Sequence, residues 1–434
     1  AVACPFCESV QQTIRQQSMT MDAVAIASSL NGEATRNLTT GAVRMRIEKV
    51  LKGGEFVKVG QEFDAIYYGQ VDVGRRFLIS GVDPPKLQWS CLPVSKRAEE
   101  YIVKGSQLPE DRIEQLKFFR HYLEDEETLI SRDAYDEFAS TSYDIIRELG
   151  PEMDRERLIR WVKLPDLVAD RKRLYFTMLG VCGTKEDLPM LEEMLKEPKL
   201  TNGGLDALIA CYLTLAGESG LPLINELFIE NRKAPFPDSY AAIMAIRFHG
   251  TDGDVISKNA LAPSLHKVLE RSELADMVIP DLAKWNDWSQ IDRVVKLFKE
   301  AEQDKNWVRV PVINYLRACP KPEAAEAMAE LRKIDPDAVR RAETFFPVIP
   351  SPSNEESSAK EGAQVPTAGM PTTKPGEKYA QVELPKIIPD ASGFVADAPN
   401  RWRLGCVIVV ALTTVMLSVF LVLTGGASSE TVAS

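Results

Sequence analysis

Apolar and polar residues alternate through the first hundred positions or so. In "GAVRMRIEKVLKGG", Val43, Met45 and Ile47 share one face and Arg44, Arg46 and Glu48 the other. That period of two predicts a half-buried strand. Gly53 and Gly54 then turn the chain. "DAVAIAS" alternates weakly, and "QEFDAIYYG" and "GRRFLISGV" are further short strands bounded by glycine. Antiparallel strands with Gly turns over about a hundred residues predict a small barrel or sandwich, residues 1–104. Beyond it the period lengthens. "DRIEQLKFFRHYL", "SRDAYDEFAS" and later segments carry apolar residues at helical spacing through residue 345.

The helical stretch repeats. "LGVCGTKEDLPMLEEMLKE" (179–197) parallels "LTLAGESGLPLINELFIE" (213–230), and "AIRFHGTDGDVISKNAL" (245–261) is a looser copy. The turn glycines Gly183, Gly217 and Gly250 are 34 and 33 residues apart, and the period continues to "WNDW" and "RACPKPEA". Each unit reads as helix, Gly or Pro turn, helix. First helices are "RKRLYFTMLG", "GLDALIACYLTLAG", "SYAAIMAIRFHG", "LADMVIPDLAKW" and "WVRVPVINYLRAC". Such hairpins bury their apolar faces by stacking on neighbours. On these units, residues 105–345 resemble the HEAT-like class of helical solenoids.

Residues 346–402 are rich in Pro, Ser, Glu, Thr and Gly and hold few large apolar side chains. They bury too little to offset ordering entropy, which predicts a disordered tether reaching on the order of 40 Å. Residues 403–425 enclose "LGCVIVVALTTVMLSVFLVLT", 404–424, with no charge across 21 positions. A helix of that length is roughly 31 Å long and matches a bilayer core. A short tail, 426–434, follows. The fold class is therefore multidomain α+β: a small β domain, a helical solenoid, a linker and a single C-terminal transmembrane helix.

Composition narrows the partners. The net charge is -11, which excludes nucleic acid, since phosphate binding takes a basic surface. Arg171-Lys172-Arg173 and Arg340-Arg341 read as solvated helix faces. Ala1-Val2-Ala3 matches the small-x-small pattern of signal-peptide cleavage and implies export. Arg401 and Arg403 precede the span with nothing basic after it, which alone would keep the N-terminal side in the cytoplasm. An earlier translocation signal outweighs two arginines, so the bulk is expected to be periplasmic or extracellular. A cytosolic tail-anchored protein is the alternative.

The cysteines carry the remaining chemistry. Cys182, Cys211, Cys319 and Cys406 lie singly in apolar segments, as small hydrophobes do. Cys4-Pro5-Phe6-Cys7 is similar to the CPYC of glutaredoxins. In that fold a buried strand precedes the motif, and at most three residues precede Cys4 here. The cysteine pair, the helix "SVQQTIRQQ", the strands above and a later Cys91 together resemble the netrin-like domain. That is the OB-type barrel of metalloproteinase inhibitors. The resemblance covers about a quarter of the chain. It implies that Cys4 or Cys7 bonds Cys91 and pins the N-terminal segment onto the barrel. It also offers a protease-inhibitor reading, in which an N-terminal Cys4 chelates a protease's zinc. The inhibitors open with CxC, however, whereas this chain has CxxC. The chain further resembles bacterial exported proteins that open with CPFC, a likeness that brings no activity with it.

Other residues are plainer. His121, His249 and His266 are scattered, so no metal site is expected, nor any cofactor. The carboxylates of "EDEE" (124–127) and "RDAYDE" (132–137) read as a solvated helix face. Trp285, Trp288 and Trp307 are candidates for a binding surface on the repeats, against inter-repeat packing. "NLT" (37–39) is a glycosylation sequon. No P-loop, dinucleotide Gly motif, G-x-S-x-G or HExxH occurs. The expected function is a non-enzymatic, membrane-anchored scaffold that binds a protein partner at the cell envelope. The alternatives are thiol–disulfide exchange through the CPFC motif and protease inhibition through Cys4.

Overall fold

A short helix, α1 (Ile14–Thr20), leads into five antiparallel strands: β1 (Ala23–Ser29), β2 (Ala42–Lys52), β3 (Glu62–Ile66), β4 (Arg76–Val82) and β5 (Gln88–Pro93). The computed structural model describes residues 4–345 apart from 9, 34–39, 198–202 and 303–306. The tether, the apolar run at 404–424, the tail, the Ala1–Ala3 motif and the sequon lie outside the described residues.

The strands lie in the order β3-β2-β1-β4-β5. Three consecutive strands form a meander and β4 returns beside β1, a Greek-key arrangement. Two register shifts between β1 and β2 bend the sheet. Its edges curl toward each other, with the rings of Phe63 on β3 and Trp89 on β5 4.8 Å apart. On β2, Val43, Met45 and Ile47 are buried and Arg44, Arg46 and Glu48 are exposed, as the period of two requires. β1 alternates weakly because both its faces are covered. Ala23, Ala25 and Ala27 point into the curl of the sheet. Val24 and Ile26 join a second core shared with the helices. At the β2–β3 turn Gly53 has φ +78°, and a Cβ there would lie 2.3 Å from the Asp22 carbonyl oxygen. Only glycine fits that approach.

Sixteen helices complete the described chain. After the sheet come α2 (Lys96–Ser106), α3 (Arg112–Phe119), α4 (Thr128–Ala139), α5 (Tyr143–Glu148) and α6 (Arg155–Val162). The repeats follow as α7 (Ala169–Cys182), α8 (Leu188–Lys196), α9 (Leu205–Ala216), α10 (Leu221–Ile224), α11 (Phe236–Thr251) and α12 (Lys258–Val268). Last come α13 (Ala275–Lys284), α14 (Ile291–Glu300), α15 (Arg309–Ala318), α16 (Pro322–Ile334) and α17 (Pro336–Phe345). All five segments read as first helices are helical, in α7, α9, α11, α13 and α15. α7, α9 and α11 pack side by side, as do α13, α15 and α17, with α8, α12, α14 and α16 against them. The chain is thus mixed α+β, a curled five-stranded sheet followed by a layered helical array.

Leu205–Ile229 is the one run among the described residues apolar and long enough to cross a bilayer. It is more than half buried. It also breaks at Gly217, whose φ is +66°, before the short α10 and a π-turn over Asn225–Ile229. Its hydrophobicity serves the core of the array.

Two charged runs differ from their reading as solvated faces. On α4, Asp133, Asp136 and Glu137 are buried, and on α7 so is Lys172. The reason on α4 is that the N-terminal segment lies against it. Asp136 accepts the Gln11 N–H (3.0 Å) and Asp133 the Ile14 N–H (2.7 Å) at the start of α1. Glu137 pairs with both Arg15 and Arg112. The "EDEE" carboxylates are also engaged: Glu124 with Arg171, Asp125 with Arg97, and Glu127 with the Ser95 hydroxyl.

Candidate functional site

The N-terminal cysteines seat on the helices. Cys4 and Cys7 are bonded to each other, S–S 2.08 Å, and the Cys7 N–H donates to the Cys4 carbonyl at 3.2 Å. The Cys4 N–H donates to the Ala139 carbonyl at the end of α4 (3.1 Å). Between them Phe6 is buried with its ring 5.0 Å from Phe248 of α11, which meets Tyr143 of α5 edge-on at 4.9 Å. The Tyr135 hydroxyl donates to the Glu8 carbonyl (3.1 Å). Arg173 of α7 pairs with the Glu8 carboxylate (2.9 Å) and with Asp206 of α9 (3.1 Å). The segment is therefore held by α4, α7 and α11.

The expected pairing with Cys91 is corrected by this course. Cys91 lies on β5 opposite Ile79, a half-buried free thiol at the margin of the sheet's core, and burial pushes it up to about 11. The N-terminal cysteines belong to the helical seat, so their sulfurs meet each other. A bridge across so few residues removes little unfolded-state freedom. Loop-closure entropy puts it at about 2 kcal/mol, against roughly 4 kcal/mol for a loop closed through Cys91.

Beside the bridge runs a groove of about 410 Å³, walled by Cys7, Arg173, Gly204, Asp206, Tyr240 and Met244. Cys7 is partly exposed to it, whereas Cys4 is buried. Tyr240 in its wall is 40% exposed, and the ring of Phe236, 49% exposed, stacks on it 8° from parallel with centroids 6.2 Å apart. Burial raises the nearby Asp238 carboxyl above the usual carboxylate range. Its lining combines apolar faces, one guanidinium and the carboxylates of Glu8, Asp206 and Asp238, groups that can hold a polypeptide segment.

The three tryptophans do not form one surface. Trp285 is buried against α11, where a Cβ on Gly250 would fall 2.0 Å from its ring. Trp288 packs edge-on against Tyr315 at 5.1 Å. Trp307 is 74% exposed, beside a cleft of about 650 Å³ with Glu273, Asp276 and Glu300. The residues that sequence reasoning passed over are Phe236, Tyr240, Arg173 and Asp206. A signal existed for the first two: aromatic residues at i and i+4 on the opening turn of α11.

Asp133 is the group on α4 with the clearest pH signature. Burial pushes its carboxyl up to about 6, against hydrogen bonds from Ile14 N–H and the Tyr101 hydroxyl, with Glu137 and Asp136 adding to the rise. From the usual carboxylate range up to about 6, the folded state holds a proton there that the unfolded chain has lost. This contribution to stability is complete below that range and is lost as pH rises through about 6. Asp133→Asn is expected to flatten the pH dependence of the urea midpoint from about pH 4 to about pH 7. An unchanged slope would refute the assignment.

Compared with known proteins, the chain matches no family model and no curated protein sequence.

Proposed function

We propose that this chain is a membrane-anchored, exported scaffold that binds a segment of a partner protein in the groove beside the Cys4–Cys7 bridge. The observation that carries the reading is the half-exposed Tyr240 in the groove's wall with the half-exposed ring of Phe236 stacked on it. Aromatic side chains so placed are the usual anchors of protein interfaces. Anchorage is supported by the uncharged run 404–424, and a periplasmic or extracellular bulk by the bridged thiols. The Greek-key strand order supports reading the sheet as a netrin-like OB-type barrel. The side-by-side first helices support a HEAT-like solenoid.

The test replaces Tyr240 with a photo-crosslinking phenylalanine derivative in intact cells of the native host. A discrete protein adduct, lost when Phe236→Asp is added, is the expected result. No adduct, or one indifferent to Phe236→Asp, would remove the groove from consideration. One observation favours a second reading, thiol–disulfide exchange: Cys7 faces the groove while Cys4 is covered. Insulin reduction measured alongside a Cys7→Ser control decides it, and equal rates in both would end it.

A further inference from the structure

A second cavity, of about 300 Å³, opens where the sheet meets the helices, among α1, the ends of β1 and β2, and α2 to α4. Its volume lies at the lower end of small-molecule sites. The wall is mostly hydrocarbon, from Ile14, Val24, Leu51, Ile102 and Phe119. Polar groups in that wall already have partners. Asp133 accepts from the Ile14 N–H and the Tyr101 hydroxyl (both 2.7 Å). The Gln115 amide donates to the Pro109 carbonyl and accepts from Arg112. The interior therefore asks for an apolar body.

Two cations, Lys52 and Arg15, also line the cavity. The Lys52 ammonium donates to the Ser18 and Met19 carbonyls (3.2 and 2.8 Å) and, among the described residues, pairs with no carboxylate. Arg15 pairs with Glu137, but that one carboxylate also serves Arg112. Glu110 is the opposing charge in the lining beyond Asp133, whose two oxygens already receive hydrogen bonds. We propose that this cavity binds a small amphipathic carboxylate, its apolar body inside and its acid group held by Lys52 and Arg15. The proposal is independent of the groove beside Cys7.

The full chain, kept soluble in a non-ionic amphipol, is titrated at neutral pH with phenylbutyrate, phenylbutanol and phenylbutylamine, followed by saturation-transfer NMR. Phenylbutyrate is expected to bind at least tenfold more tightly than the alcohol or the amine. Lys52→Gln is expected to weaken it about fivefold, in line with loss of one charge-assisted contact. Gly105 lines the cavity on α2, and a Cβ there meets nothing within 4 Å. Gly105→Phe is therefore expected to plug the site and abolish binding with an unchanged circular dichroism spectrum. Three outcomes overturn the proposal: no binding of phenylbutyrate, equal binding of the three probes, or binding undisturbed in both variants.

Discussion

Replacing Glu137 by alanine is expected to lower stability by about 3 kcal/mol. Its side chain is 0% exposed and faces two guanidiniums, Arg15 from α1 and Arg112 from α3. Truncation leaves both cations without their counter-charge, and that unpaired charge is where the cost arises. Each arginine keeps about a fifth of its side chain exposed, so water recovers part of the loss. That places the estimate at the low end of the range for broken buried pairs. Glu137→Gln retains the shape and an acceptor oxygen and should fall between wild type and alanine. Urea denaturation with an unchanged slope is the measurement. A loss under about 1 kcal/mol would show that the pair behaves like a surface contact.

Phe6→Ala is expected to cost more than breaking the bridge beside it. A phenylalanine truncated in a packed core costs about 3 kcal/mol or more, because the cavity left behind closes only partly. Phe6 is buried against Phe248 in an aromatic contact that extends to Tyr143. Cys4→Ser with Cys7→Ser removes a bridge whose short loop limits it to about 2 kcal/mol. The order of the two effects is the informative quantity. If the double serine variant proves the less stable, the bridge and not the ring holds the segment on the helices.

The strands and helices were legible wherever one face is wet and the other dry. β2 shows this best, with Arg44, Arg46 and Glu48 facing out. β1 hid its period because small alanines fill one side and helices cover the other. The acids of α4 were misread for a different reason. Charged residues in a helical pattern normally face water, and the N–H groups of Ile14 and Gln11 that cover Asp133 and Asp136 lie 119 and 125 residues away in the chain. Local pattern carries no information at that distance. The same holds for the CPFC motif, whose spacing allows an internal bridge but does not reveal a seat on α4, α7 and α11. Trp285 was ambiguous because an inter-repeat ring and a binding-surface ring look alike until Gly250 is seen against it.

The course of the N-terminal segment has a consequence for how the protein is made. Cys4 to Glu8 are synthesised well before the residues that seat them: Arg173, which holds Glu8, follows 165 residues later, and Phe248 later still. At about 5–20 residues per second, the segment waits for its seat for on the order of ten seconds or more. During that interval the α4 contacts at Ala139 and Tyr135 can form, but Phe6 still lacks its partner ring Phe248. This segment is thus locked in place only after a long stretch of later chain, and its full docking reports that the helical array has been completed as far as α11.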